Sequence, residues 1–236
     1  MNGVNIKQNL CPPEKYPIKC PYRRTPTRVV VHNTANDAPA ENEVAYMLRN
    51  DYEISFHFAV DGKGAVQGLP LDRNAWASGD GTGKGNMEGI HVEICYSRSG
   101  GEPFFQAEDQ AARLIAGLLK DYGWGMDRVT KHQDYDKKYC PHRTLDLGWG
   151  RFLQLIEKYV KGDQEMQRYE EFKHYAQRLE QERASQGPSA WAKEAWEKAV
   201  AAGLLDGSSP RAPLTREQCA VLLDRLGCLN NSATPR

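Results

Sequence analysis

Apolar side chains recur along the first 160 residues with two periods, and each period predicts a kind of element. Arg28-Val29-Val30-Val31-His32 is an unbroken β-branched run, which predicts a buried strand ending at His32. Residues 54–60 and 90–95 alternate instead. Ile54, Phe56, Phe58 and Val60 are expected on one face, with Ser55, His57 and Ala59 on the other. Likewise Ile90, Val92 and Ile94 supply a core face opposite His91, Glu93 and Cys95. Asp61-Gly62-Lys63-Gly64 has the composition of a hairpin turn leading to a short strand at 65–67.

Helical spacing appears in three further places. Val44, Met47 and Leu48 give one apolar face over 42–50. Ala111, Leu114, Ile115, Leu118, Leu119 and Tyr122 form a stripe over 107–122, stopped by Gly123. Phe152, Leu155, Ile156, Tyr159 and Val160 do the same over 150–160. Prolines at 12, 13, 17, 21 and 26 make residues 1–27 an irregular arm expected to pack along the domain and protect its edge. Loops are expected at 33–39 and, rich in glycine, at 76–86. Strands separated by helices predict an α/β domain over 1–160, with a mixed or largely parallel central β-sheet flanked by helices.

Beyond 160 the pattern changes. Residues 161–187 are charged, with Met166, Tyr169, Phe172, Tyr175 and Leu179 at intervals of three and four. That predicts an exposed linker helix or, alternatively, a helix for self-association into a homo-oligomer. Ser185-Gln186-Gly187-Pro188 ends it. Residues 188–236 read as a small helical module, with Trp191, Ala195, Trp196 and Val200 on one helix and a second helix capped by Thr215. Cys219, Val221, Leu222, Leu223 and Leu226 are expected on its inner face, and at about 40 residues the module is marginal alone.

Composition narrows the classes of partner. Thirty-one basic side chains balance 31 acidic ones, so the net charge gives no footprint for nucleic acid. No run approaches a membrane span, so no membrane insertion is expected. The N-terminus lacks the apolar core of a signal peptide, and Pro12-Pro13 would interrupt one, which predicts synthesis in the cytoplasm without the general export route. The six cysteines are too sparse for a disulfide scaffold. Cys11 and Cys20 bracket the arm and are expected mostly as thiols, while Cys219 and Cys228 are expected to be buried.

The chemistry concentrates in K-H-Q-D-Y-D-K-K-Y-C-P-H-R at 131–143. His132 and Cys140 are ligand types for a borderline-soft ion such as zinc, and His32 at a strand end is the candidate third. Catalytic zinc sites use three protein ligands and leave a position open. Each residue also has a plain structural reading, a satisfied edge histidine or a buried thiol. Glu93, in an apolar strand, is the candidate proton handler if it faces the metal, or else a structural ion-pair partner of Arg98 or a nearby lysine. Lys138 could place a charge where an oxyanion develops, or be one of three solvated lysines. The loop G-D-G-T-G-K-G at 79–85 matches neither phosphate-binding pattern, so it reads as the wall of a cleft.

Taken together, R-V-V-V-H-N-T-A at 28–35, I-S-F-H-F-A-V-D at 54–61, N-A-W-A-S-G-D-G at 74–81, N-M-E-G-I-H-V-E-I-C-Y-S at 86–97 and the 131–143 segment resemble the zinc amidases that cleave N-acetylmuramoyl-L-alanine bonds. That family includes peptidoglycan recognition proteins and amidase-type phage lysozymes. The resemblance implies Zn2+ held by His32, His132 and Cys140, with Glu93 as the catalytic glutamate of the endolysin branch and Lys138 on the oxyanion. It implies a peptidoglycan substrate in a cleft lined by the 33–39 and 76–86 loops, with Asn33, Thr34 and Trp76 as contacts. The enzyme would be a phage or prophage endolysin of a Gram-positive host, acting on the wall after release.

Two departures stand out. Phe56 occupies a position where many relatives carry a tyrosine with a catalytic hydroxyl, and Trp76-Ala77-Ser78-Gly79 replaces Trp-His-Ala-Gly. The tail more loosely resembles surface-layer-homology modules through Trp191 to Trp196, Gly203 to Gly207 and Leu214 to Gln218, which implies wall targeting, self-association or simple packing. Two other readings remain: a non-catalytic peptidoglycan-binding protein of the same fold, and a thiol hydrolase using Cys140 and His132.

Overall fold

A computed structural model describes residues 3–229, apart from the side chain at position 163. It divides into two units, Met1–Glu165 and Met166–Arg236.

The first unit is built on a six-stranded sheet. Its strands are β1 (Ile6–Gln8), β2 (Arg28–Asn33), β3 (Phe58–Asp61), β4 (Gly64–Gln67), β5 (Gly89–Ile94) and β6 (Val129–Lys131), in the spatial order β1-β4-β3-β5-β2-β6. Only the β3–β4 hairpin is antiparallel; β1–β4, β3–β5, β5–β2 and β2–β6 are all parallel. The sheet is therefore mixed, as the alternation of strand and helix patterns required. The neighbouring interior strands β2 and β5 are almost entirely buried, which explains the valine run.

Helices cover both faces. α4 (Gly101–Tyr122) packs Leu114, Ile115 and Leu118 against Val29, Val31, Phe58, Val60 and the Ile90/Val92/Ile94 face of β5. Phe152 and Ile156, at the start of α6 (Trp149–Ser185), complete this cluster. Gly123 adopts the left-handed conformation (φ 66°) and ends α4, with the Trp124 N–H donating to the Leu119 carbonyl at 2.8 Å. Buried Glu108 on α4 accepts a 2.6 Å hydrogen bond from Arg151 on α6, so its charge is paired. On the other face α2 (Ala40–Arg49) sets Val44 and Met47 against Phe56, Ala59, Val66 and Cys95.

Several expectations fail in instructive ways. The arm is not wholly irregular: β1 pairs with β4 and protects that edge as a strand of its own, and a single helical turn, α1 (Tyr16–Lys19), follows it. Residues 54–57 are not strand, and their alternation is false. Ile54 is 63% exposed, Phe56 joins the α2 cluster with Ala59, and Ser55 and His57 are both buried. Hydrogen bonds from the buried Lys19 side chain to Asn50, Tyr52 and Ile54 hold the chain in an irregular path there. The glycine loop includes a short helix, α3 (Lys84–Glu88). Residues 150–160 and 163–183 form one uninterrupted helix, α6, ended by Ser185 as expected.

In the second unit, α8 (Arg216–Arg225) forms where predicted, and Thr215 caps it by accepting the Gln218 N–H at 3.1 Å, whereas α7 (Lys193–Ala201) starts after Trp191 and leaves that residue outside the helix. Neither helix buries a residue, however, and Trp191 is 90% exposed. Cys219 is only half-buried and Cys228 is exposed, contrary to expectation. So short a segment offers too little apolar surface to enclose a core. Positions 230–236 of the expected module lie outside the described residues. Among the described residues, no helix is long and apolar enough to cross a membrane.

Candidate metal centre and cleft

Parallel register builds the site. β2 and β5 align Val30 with His91 and His32 with Glu93, so these four side chains share the face opposite the α4 core. Residues directly across a ladder lie about 5 Å apart, which places the Glu93 strand position beside His32. β6 flanks β2 on the other side, and the turn that follows it begins at His132. The chain then loops to Cys140, joined by a cis peptide to Pro141 at the entry to α5 (His142–Asp146).

These elements bring His32, His132 and Cys140 together. One ligand atom from each lies within 4.8 Å of the others, and the residues are only 1%, 4% and 4% exposed. His32 Nδ1 and His132 Nδ1 face each other at 3.1 Å. Tetrahedral coordination at ordinary Zn–N and Zn–S lengths sets ligand atoms roughly 3–4 Å apart, so the spacing fits such an ion. The charge states fit too. Burial, then the neighbouring His91 and His132, hold His32 well below the usual imidazole range, leaving a lone pair available. Burial likewise lowers His132, partly offset by Asp136. The three residues can therefore hold a metal ion.

Each ligand is supported from behind. His32 Nε2 lies 2.9 Å from His91 Nδ1, and His132 Nε2 lies 3.3 Å from Asp136 Oδ2. The Asn33 backbone N–H donates to Cys140 and lowers its thiol, though burial dominates and pushes it up to about 12. A bound cation would reverse that balance. His91 is pinned in turn: its backbone N–H donates to His57 Nδ1 at 3.0 Å, and the two rings stack at 5.7 Å. Burial, with the Arg24 guanidinium, brings His91 down to about 3, so it stays neutral. Neither His91 nor Asp136 stands out as a site residue in the sequence. The signals were present: His91 lies two positions before Glu93 on the same strand face, and Asp136 lies four after His132.

Glu93 opens onto the cleft yet is packed deeply enough that burial, then the Glu43 charge, pushes its carboxyl up to about 8; Lys138 pulls the other way. Its Oε2 has no hydrogen-bond partner among the described residues. Lys138 is exposed and lines the same cavity, and its backbone N–H is fixed by Asp136 Oδ1 at 2.6 Å.

The cleft over the centre has a volume of about 600 Å³ and is lined by Trp76, Glu53 and Ile54 along with the ligand residues. A second cavity of about 260 Å³ shares Asn33, Phe56, Glu93, Lys138 and Cys140 and extends toward Tyr46, Tyr52 and Tyr139. Trp76 is fixed by its Nε1–H on the Ile18 carbonyl (3.1 Å) and by edge contact with Tyr22. Thr34 lines the second cavity, with its Oγ1 buried and without a hydrogen-bond partner among the described residues. Asn33 borders both cavities, but its Oδ1 accepts the N–H groups of Arg143 (2.9 Å) and Thr144 (3.2 Å), committing that oxygen to the start of α5.

The glycine-rich wall is held by two side chains. Asp80 accepts the N–H groups of Gly85 and Asn86, and Asn86 Oδ1 accepts those of Ala77 and Ser78. Gly79 has φ 69°, and a Cβ there would overlap Asp136, so a glycine lets the loop close on the metal centre.

The family described as N-acetylmuramoyl-L-alanine amidase matches residues 22–143. The amidase XlyB of Bacillus subtilis is 52% identical over 162 residues, 68% of this chain and 51% of that protein. CwlA of the same organism is 51% identical over 161 residues, 67% of this chain and 59% of that protein. The chain thus spans about half the length of the curated relatives it matches. The solved structure of PlyL is 52% identical, with TM-score 0.64, covering 65% of this chain and 97% of that one. The tail lies outside the family match, which lends its surface-layer resemblance no support.

Proposed function

The chain belongs to the N-acetylmuramoyl-L-alanine amidase family, and from that membership we propose that it is an endolysin-type enzyme cleaving the amide between the lactyl group of N-acetylmuramic acid and L-alanine in peptidoglycan. The observation that carries this reading is the convergence of His32, His132 and Cys140 beside Glu93 on the floor of one cleft. These three would hold zinc, which when bound supplies Lewis acidity toward water and a carbonyl oxygen.

The chain's own groups supply the rest. The Glu93 carboxylate removes a proton from the water that attacks the amide carbon. A cation at the adjacent site counteracts the burial that raises Glu93 and favours its ionised form at neutral pH. The Lys138 ammonium, at the rim of the same cavity, stabilises the developing oxyanion. As the C–N bond breaks, Glu93 returns its proton to the departing alanine amine. Phe56 offers no hydroxyl, so proton transfer falls to Glu93. Trp76 and the fixed glycine-rich loop wall the substrate, with Thr34 and Asn33 bordering the second arm of the cleft. The protein would be made in the host cytoplasm and act on the cell wall after release.

A thiol hydrolase fits less well, because a buried Cys140 thiol pushed up to about 12 is the opposite of an activated nucleophile. A purely binding role leaves the unpaired Glu93 oxygen without a purpose. The test is to measure bound zinc and the release of amino termini from purified walls for wild type, His132→Ala and Glu93→Ala. Zinc is expected in wild type and Glu93→Ala only, and activity in wild type alone. Wall lysis by a wild-type protein that holds no zinc would sink the mechanism.

A further inference from the structure

We propose that His91 and Asp136 are positioning residues of the metal centre, holding His32 and His132 as the tautomers whose Nδ1 lone pairs converge. The inference rests on the metal-centre reading and extends it to two residues outside the ligand set.

The two ligand imidazoles face each other through Nδ1 at 3.1 Å, with the Cys140 sulfur beside them. A nitrogen that binds a metal carries no hydrogen, so a neutral ring must carry its single hydrogen on Nε2. His32 Nε2 is at hydrogen-bond distance, 2.9 Å, from His91 Nδ1, which can accept it. His132 Nε2 makes no hydrogen bond among the described residues, but it stands 3.3 Å from Asp136 Oδ2, close enough for that carboxylate to take its hydrogen. Each supporting group is fixed by contacts unrelated to its histidine. The His91 backbone N–H donates to His57 Nδ1, and its ring is stacked on that of His57. Asp136 fits because position 79 has no Cβ, and its other oxygen takes the Lys138 N–H at 2.6 Å.

The two supports differ in chemistry. Asp136 is an anion and, besides orienting His132, makes it a stronger electron donor; His91 is a neutral acceptor and mainly fixes geometry. Losing such a partner typically weakens metal binding 10–100-fold.

The experiment uses the full chain with His91→Ala, His91→Asn, Asp136→Ala and Asp136→Asn. Zinc affinity is measured by competition with a chelator, and the Nε2–H signals of the two ligand rings are read from nitrogen–proton NMR of the zinc-loaded protein. Each alanine variant should lose 10–100-fold in zinc affinity. The Nε2–H of the ring it supports, His32 or His132, should also lose its downfield shift and exchange faster with water. Each asparagine variant keeps an acceptor oxygen and should recover most of both, which separates the effect from a general loss of fold. Alanine variants that match wild type in affinity and in the Nε2–H signal overturn the proposal, as do asparagine variants no better than alanine. A wild type that binds no zinc sinks the metal-centre reading and this inference with it; a wild type that binds zinc no more tightly than the alanine variants overturns only this inference.

Discussion

Replacing Gly79 with alanine should damage the metal centre, whereas the same change two residues away should not. Gly79 and Gly81 sit in the same loop with nearly the same backbone, φ 69° and 60°. Either substitution forces a side chain into the left-handed region, at about 1–2 kcal/mol. A Cβ at Gly81 meets nothing within 4 Å, so the backbone term is its whole cost. One at Gly79 would overlap Asp136 Oδ2 and stand 3.0 Å from Cγ, displacing the carboxylate from His132. The 3.3 Å contact of His132 with this carboxylate contributes up to about 1 kcal/mol, since the Asp136 side chain is 33% exposed. Gly79→Ala should therefore lose about 1 kcal/mol more than Gly81→Ala in urea melts. It should also weaken zinc by roughly fivefold or more, since 1.4 kcal/mol corresponds to tenfold. Chelator competition on the two variants reads this directly. Equal zinc affinities would refute the claim that this glycine exists to admit Asp136.

Three further outcomes are expected. Lys138→Ala should retain zinc and fold while kcat on purified walls falls about 10²–10³-fold, the usual loss for one oxyanion donor, and a change confined to KM would assign the lysine to substrate binding instead. In metal-free protein, Glu93 has a folded value of about 8 against 4.5 for the free side chain, so its protonated form favours folding. That contribution is fully present below pH 4.5 and is lost as pH rises through 8; Glu93→Gln should lack this component, seen as a smaller fall in thermal stability across that window. Leu118→Ala empties a fully buried position under the sheet, and at about 2–5 kcal/mol it should lower Tm by roughly 4–20 °C in calorimetry, without changing the zinc affinity of the folded protein.

Local pattern specified a good part of this protein. The valine run at 29–31, the alternation at 90–94 and the stripe on α4 each specify an element, because period and side-chain branching act within a few residues. The candidate metal ligands and Glu93 were legible too, as residue types whose burial or placement has a chemical use. The same local pattern misled at 54–57, where Lys19, more than 30 residues away, bends the chain out of a strand. It was silent on β1, which is a strand only because β4 offers an unpaired edge. In α6 a change of composition near 161 suggested a break that the backbone does not make, since polar and apolar faces can exchange along one helix without interrupting its hydrogen bonds.

The centre itself was decided in three dimensions. Pairing His32 with Glu93 is a matter of register between strands 61 residues apart, and a slip of one position would turn one of them toward the α4 core. His91 behind His32, and Asp136 against Gly79, are contacts among separate elements that no spacing in the chain encodes. The sequence by itself determined which side chains could bind a metal and move a proton. The sheet register and the closure of the glycine loop decided that they meet, and which unremarked neighbours hold them there, because a side chain's partner across a fold depends on packing rather than on period.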